Sequence, residues 1–154
     1  MNLENSFTLL RDIGAFPLNE QEEVRFSVDA YRGYRYVSVR KYVRKDGFSG
    51  PTLEGVTFSP EMIRALVPVL NALPTEEKQL KLGALGKFAK RPGMCVILTV
   101  AEWRGQRGLD IRQWEQDKGF TKKGLWIPLA HWGQVRQLFM GTLAALDEVP
   151  DIDF

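Results

Sequence analysis

The sequence predicts an α+β chain in which antiparallel strands lead into a helix, and the whole pattern then occurs a second time. Three observations carry this reading. The stretches RGYRYVSVRKYVRKDGF (Arg32 to Phe48) and RGQRGLDIRQWEQDKGF (Arg104 to Phe120) share Arg, Gly, Arg, Arg, Gly and Phe at identical spacing. Val24, Phe26 and Val28 alternate with Arg25, Ser27 and Asp29, the period of a strand with one dry face. Met62, Leu66, Leu70 and Leu73 then fall at helical spacing behind them.

The repeat extends well beyond the two stretches. A shift of 72 residues lays Ile13-Gly14-Ala15-Phe16 on Leu85-Gly86-Lys87-Phe88, and Val24, Phe26 and Val28 on Val96, Leu98 and Val100. Tyr31-Arg32-Gly33 meets Trp103-Arg104-Gly105. After the Gly-Phe pair the second copy is three residues shorter, so Gly55-Val56-Thr57-Phe58 falls on Gly124-Leu125-Trp126-Ile127. The expected organisation is a first repeat in residues 1–73 with an N-terminal extension and a linker, PTEEKQ, at 74–79. A second repeat then fills 80–146, and an acidic tail 147–154.

Each element has a local reason. Arg32-Gly33 makes a turn, with glycine supplying a backbone conformation that side chains disfavour. The next strand buries Val37, Val39 and Val43 and presents Tyr34, Tyr36, Ser38, Arg40, Tyr42 and Arg44 on its other face. Lys45-Asp46-Gly47 turns the chain again, and Val56 and Phe58 supply the core face of a last strand. Ser59-Pro60 starts a helix with a capping hydroxyl and a first-turn proline, and Pro68 is expected to bend it. In the second copy Pro128 is expected to open a helix whose inner face is Trp132, Val135, Phe139, Leu143 and Leu146. A helix covers one face of its sheet, so the face carrying tyrosine and arginine stays open.

Composition narrows the class. With 154 residues, 44% apolar and 26% charged, the chain has the balance of a globular protein. No apolar run approaches a membrane span, and the N-terminus lacks a basic-then-apolar signal pattern. Cys95 sits in the apolar run MCVILTV and reads as a buried core thiol; a lone cysteine makes no internal disulfide and suits a reducing compartment. The expected location is therefore the cytoplasm, at the nucleoid of a bacterium, or the nucleus of a eukaryote. Net charge is only +2, but DEVPDIDF holds four acids, and without it the body carries +6. Between Val24 and Lys45 seven bases face the single acid Asp29, a field that attracts polyanions.

An open face of rings and bases matches single-stranded nucleic acid, which exposes flat bases and a charged backbone together. Stacking contributes roughly 1–3 kcal/mol per base and tolerates any sequence. Arg and Lys neutralise phosphates and release counterions. Copy one offers Tyr31, Tyr34, Tyr36 and Tyr42 beside Arg32, Arg40 and Arg44. Copy two offers Trp103, Trp114 and Trp126 beside Arg104, Arg112, Lys122 and Lys123. Against this stands the structural alternative, since tyrosine and tryptophan are common strand residues and some rings pack against the other copy. Gln106, Gly108, Glu115 and Gln116 replace Tyr34, Tyr36, Val43 and Arg44, so copy two is expected to grip less strongly.

These residues resemble the transcriptional coactivator domain called positive cofactor four. The resemblance rests on Trp103-Arg104-Gly105, Ile111-Arg112-Gln113-Trp114, Lys123-Gly124-Leu125 and Trp132 in copy two, and on Val39-Arg40-Lys41-Tyr42 and Gly55-Val56 in copy one. Glu54 departs from the family's basic residue, and Ile63 from its helix tryptophan. The resemblance implies a four-stranded sheet plus helix that pairs with a second unit and binds single-stranded or melted DNA across both sheets. With two copies in one chain, it implies an intramolecular pseudo-dimer in which tethering makes the pairing local. Family contacts carried by position fall on Tyr31 and Trp103, Tyr34 and Gln106, and Arg40 and Arg112; at Tyr34 and Gln106 the family has a base.

Other chemistry finds little footing. His131 stands alone beside Trp132 and reads as a capping or packing residue. One His and one Cys do not make a zinc set, and Leu82-Gly-Ala-Leu-Gly-Lys opens no phosphate-cradling loop. No enzyme activity, metal or cofactor is expected. The tail resembles the partner-docking tip of bacterial single-strand binding proteins, with Phe154 as anchor and Asp151 and Asp153 meeting a basic pocket; a frayed solubilising end is the alternative. The leading expectation is a non-sequence-specific single-stranded DNA-binding protein acting in transcription, replication or repair. Single-stranded RNA could use the same surface, and a protein-interaction module is the rival of another class.

Overall fold

The computed structural model describes residues 8–148. The docking residues expected at Asp151, Asp153 and Phe154 lie outside them. Repeat one holds β1 (Thr8–Pro17), β2 (Glu22–Tyr31), β3 (Tyr34–Lys45), β4 (Phe48–Phe58) and α1 (Pro60–Asn71). Repeat two holds β5 (Gly83–Arg91), β6 (Met94–Trp103), β7 (Gln106–Glu115), β8 (Gly119–Pro128) and α2 (Trp132–Glu148). Each repeat forms one antiparallel four-stranded meander, ordered β1-β2-β3-β4 and β5-β6-β7-β8. The fold is an α+β tandem pseudo-dimer. No helix among the described residues is long and apolar enough to cross a membrane.

The turns follow from their residues. Arg32-Gly33 and Arg104-Gly105 join β2 to β3 and β6 to β7, with φ of 50° and 83° in one and 52° and 75° in the other. Two successive positive φ values suit the right-handed twist of a two-residue hairpin, and glycine takes the second without strain. Asp46-Gly47, at 51° and 79°, does the same between β3 and β4. Pairing also moves the three-residue shortening. Tyr42 faces Pro51 and Trp114 faces Phe120, so Phe120 stands where Pro51 does. The shared Gly-Phe spacing is therefore no structural equivalence, and the missing residues come out of the paired arms at the hairpin end of repeat two.

Ser59 caps α1, its hydroxyl accepting from the Met62 amide at 3.2 Å, and the helix runs through Pro68 to Asn71. Pro128 does not open α2. It ends β8, a single 3₁₀ turn covers Leu129–His131, and α2 begins at Trp132. His131 packs its ring against Phe16 at 4.7 Å.

The helices do not simply cover their own sheets. Phe139 of α2 sets its ring edge-on against Phe26 and Phe58 of repeat one, at 5.0 and 5.6 Å. A Cβ on Gly14 of β1 would meet Leu138 of α2 at 2.8 Å, and one on Gly86 of β5 would meet Val69 of α1 at 3.6 Å. Each helix thus crosses the first strand of the other repeat, and at Gly14 the missing Cβ makes room for Leu138 of α2. Polar links agree: Trp132 Nε1 donates to the Pro74 carbonyl at 2.9 Å, Arg35 Nη1 to Leu146 at 2.9 Å, and Arg11 pairs with Glu148. Buried residues of both repeats form one continuous core, including Val24, Phe26, Leu66, Leu98, Ile111 and Phe139. One shared core leaves the outer sheet faces as the surface on which chemistry can occur.

Candidate nucleic-acid interface

Strand pairing sets the outer face of repeat one. Tyr36 lies opposite Asp29, Ser38 opposite Ser27, Arg40 opposite Arg25, and Tyr42 opposite Glu23. Residues directly opposite across antiparallel strands share a face, so these eight side chains tile one surface. They are not core: Tyr36, Arg40 and Tyr42 remain partly exposed, while Val37 and Val39 on the other face are fully buried. Val43, expected in the core, is only half-buried, because the core ends before the β3 tip.

A wide irregularity in β4 shapes this surface. Arg40 pairs with Gly55 and Tyr42 with Pro51, leaving Thr52, Leu53 and Glu54 opposite Lys41 alone. Arg40 Nη1 donates to the Thr52 carbonyl at 2.8 Å, and Thr52 Oγ1 donates to the Lys41 carbonyl at 2.9 Å. A Cβ on Gly55 would sit 2.7 Å from the Arg40 guanidinium carbon, so only glycine lets that group lie flat across β4. Repeat two reproduces the device: Arg112 Nη1 reaches the Thr121 carbonyl at 3.0 Å, Thr121 Oγ1 reaches Gln113 at 3.0 Å, and Gly124 lies beneath Arg112. Both arginines, expected as phosphate ligands, first of all hold their bulges. Leu53, at the crest of the first bulge, is 92% exposed.

The two faces differ in charge. Arg112 is clamped by Asp110, with Nε at 3.2 Å from both carboxylate oxygens and Nη2 at 3.0 Å from one. Repeat one has Ser38 where Asp110 stands, and Asp29 there hydrogen-bonds Ser27 at 3.0 Å. Burial raises the Asp29 carboxyl above its ordinary value, partly offset by Ser27 and Arg40. Burial also lowers the Arg40 guanidinium, with Tyr42 and Asp29 opposing it. Arg25 lies over the Tyr42 ring at 4.8 Å and is held by Glu23, which raises its pKa.

The expected site residues fall into separate groups. Tyr31, Arg32 and Tyr34 crown one hairpin tip, with Arg32 over the Tyr31 ring at 5.3 Å. Trp103 and Arg104 crown the equivalent tip, the guanidinium 4.6 Å from the ring; Trp103 is 58% exposed and meets Trp126 at 6.5 Å. Trp126 lies over Gly108, where any Cβ would overlap its ring. Trp114 lines a shallow hollow with Pro92, Met94 and Cys95. Cys95 is thus half-exposed on the outer face rather than buried, because it shares the parity of Trp114 opposite and not that of core Val96. Arg44 stands exposed at the edge, 3.9 Å from Glu23.

Tyr36, Arg40, Lys122 and Lys123 converge on one trough of about 690 Å³, together with Tyr31 and Leu53. This trough crosses from repeat one to repeat two and adds Lys90 and Arg91, which sequence reasoning did not single out. It shares Arg40 and Thr57 with a second trough of about 430 Å³ over β2 and β3, lined by Arg25, Ser38 and Tyr42. Lys90 and Arg91 precede the Pro92-Gly93 turn; nothing local in the sequence says that this turn abuts β4.

Duplicated sheet-and-helix units sharing one core, with ring-bearing basic faces turned outward, define a two-faced α+β binding scaffold. The family model of Transcriptional Coactivator p15 (PC4) matches residues 18–69, from just before β2 into α1. The matched residues lie within the first repeat, and the second repeat has the same fold. The match supports a function of the nucleic-acid-binding transcriptional coactivator kind. No curated protein matches the chain.

Proposed function

We propose that the chain binds single-stranded DNA without sequence preference, as a transcriptional coactivator-type protein whose two repeats act as one platform. The observation that carries this reading is the inter-repeat trough. Its lining combines the rings of Tyr31 and Tyr36 with cations from both repeats and contains no carboxylate. Stacking would bind bases of any identity, and the cations would bind the backbone. Arg32, Arg104 and the exposed Trp103 extend the platform to both hairpin tips. Arg40 and Arg112 position the bulges, and Trp114, Trp126 and Arg44 serve as flanking contacts.

The test is fluorescence anisotropy of labelled oligo-dT, oligo-rU and a duplex at two salt concentrations. Binding that discriminates against duplex and weakens with salt by about 0.7 in the log–log slope per phosphate contacted supports the proposal. Equal affinity for oligo-rU would widen the ligand to RNA. No binding in dilute buffer, with no quenching of tryptophan, would sink it and favour a protein partner for the same face.

A further inference from the structure

We propose that the seam between the repeats holds one phosphate of the bound strand, clamped by Lys90, Arg91 and Lys123 with Arg40 at its edge. The clamp joins the two sheet faces into one path and rests on the single-strand reading above. Lys90 is the centre of the argument. Its Nζ leaves β5 and donates to the Thr57 carbonyl at 3.1 Å, to Thr57 Oγ1 at 2.9 Å and to Gln113 Oε1 at 3.3 Å. All three acceptors are neutral. The charged groups that face it are Arg91 from β5, Lys123 from β8 and Arg40 from β3, with Lys122 in the same trough. Glu115 joins the network only through the Gln113 amide, at 3.2 Å. Among the described residues, then, a half-buried ammonium sits among cations without a carboxylate partner.

Such a cluster is costly in the free protein, and an anion relieves it. Burial first, then Arg91, Lys123 and Arg40, lower the Lys90 pKa from 10.5 to about 8. A phosphodiester oxygen is the opposite charge that the site lacks, and the flanking rings of Tyr31 and Tyr36 give the attached bases a place to stack. The position also lacks a counterpart. Under the 72-residue shift, Lys90-Arg91 stands where repeat one has Leu18-Asn19, so the clamp is a property of the joined chain.

Proton linkage makes the proposal measurable. A phosphate returning Lys90 toward 10.5 would make oligo-dT binding weaken about tenfold between about pH 7 and pH 9. Without DNA the sign reverses: the unfolded chain holds a proton that the folded chain releases, so stability rises from about pH 8 to 10. The experiment is anisotropy with labelled oligo-dT across that range on the full chain, on Lys90→Gln and on Lys90→Arg, with melting curves alongside. Lys90→Arg should bind near neutral pH about as the parent does and lose the pH dependence. Lys90→Gln should bind at least about tenfold more weakly near neutral pH, because an uncharged amide gives no attraction to phosphate. Inorganic phosphate at matched ionic strength should displace the oligonucleotide no better than chloride; specific displacement would make the seam a free-anion site and overturn the proposal. A parent that binds with Lys90→Gln equal to it in affinity and pH profile overturns the clamp and leaves the single-strand reading standing. A parent that fails to bind at every pH removes that reading itself. Should Lys90→Gln not fold, the pH profile of Lys90→Arg decides.

Discussion

Replacing Asp110 with Ser should strengthen single-strand binding, although it removes a well-formed ion pair. Ser38 occupies the equivalent place in repeat one, so Asp110→Ser gives repeat two the other copy's solution. Asp110 holds Arg112 through three contacts of 3.0 to 3.2 Å and cancels its charge where a strand would pass. The guanidinium keeps its bond to the Thr121 carbonyl in the variant and stays aimed. Removing one negative charge about 7 Å from a phosphate, at an effective dielectric of roughly 40, is worth about 1 kcal/mol, or roughly fivefold in affinity. If Arg112 then meets a phosphate, the salt dependence should steepen by about 0.7. The lost pair, with both side chains partly exposed, should cost about 0.5–1 kcal/mol of stability, a fall of a few degrees in Tm. Anisotropy with labelled oligo-dT at two salt concentrations, beside a melting curve, reads both effects. Unchanged or weaker binding with an unchanged slope would refute the view that Asp110 masks Arg112.

Trp103→Ala should leave the melting temperature unmoved, since the ring is 58% exposed, yet weaken oligo-dT binding by about 1–3 kcal/mol. A fall of under twofold in titration would remove that ring from the site. Phe139→Ala opens a cavity between Phe26 and Phe58 and should cost about 3–5 kcal/mol in denaturant unfolding. A cost below about 1 kcal/mol would contradict the shared core. Gly108→Ala forces Trp126 off its seat and should cost roughly 1–3 kcal/mol and shift tryptophan emission; an unshifted spectrum would count against that packing.

The repeat and its elements were legible because their signals are local. Val24, Phe26 and Val28 alternate as they do because one face is core, and Arg32-Gly33 announces a turn that glycine alone makes easy. Ser59 announced its helix with equal clarity, whereas Pro128 misled, because proline also suits the end of an edge strand, and a 3₁₀ turn separates it from α2. Cys95 misled for another reason: an apolar run does not reveal which parity faces inward. The site was half-legible. Rings and bases on one face follow from strand periodicity, but Asp110 masking Arg112 depends on side chains two residues apart choosing each other rather than solvent. Lys90 reaching Thr57 depends on how two sheets meet, and helix exchange between repeats determines that, which no window of sequence contains.

Fusion of the two units explains why that meeting place is not symmetric. In a dimer of identical chains every seam residue occurs twice, so a lysine admitted for phosphate at one end would bring its twin to the other. Here each half can change alone. Lys90 stands where Leu18 does, Trp126 where Thr57 does, Lys122 where Leu53 does, and Asp110 where Ser38 does. Repeat one keeps a polar, tyrosine-lined face with Arg40 lacking a carboxylate clamp. Repeat two carries Trp103 at the tip and Trp126 on the edge strand, with Arg112 neutralised. A platform divided in this way has a direction, because its two ends present different chemistry to a strand that itself has a direction. Labels placed at the 5′ or the 3′ end of oligo-dT should therefore quench the tryptophans unequally, whereas equal quenching would mean that the two halves bind as equivalents despite their divergence.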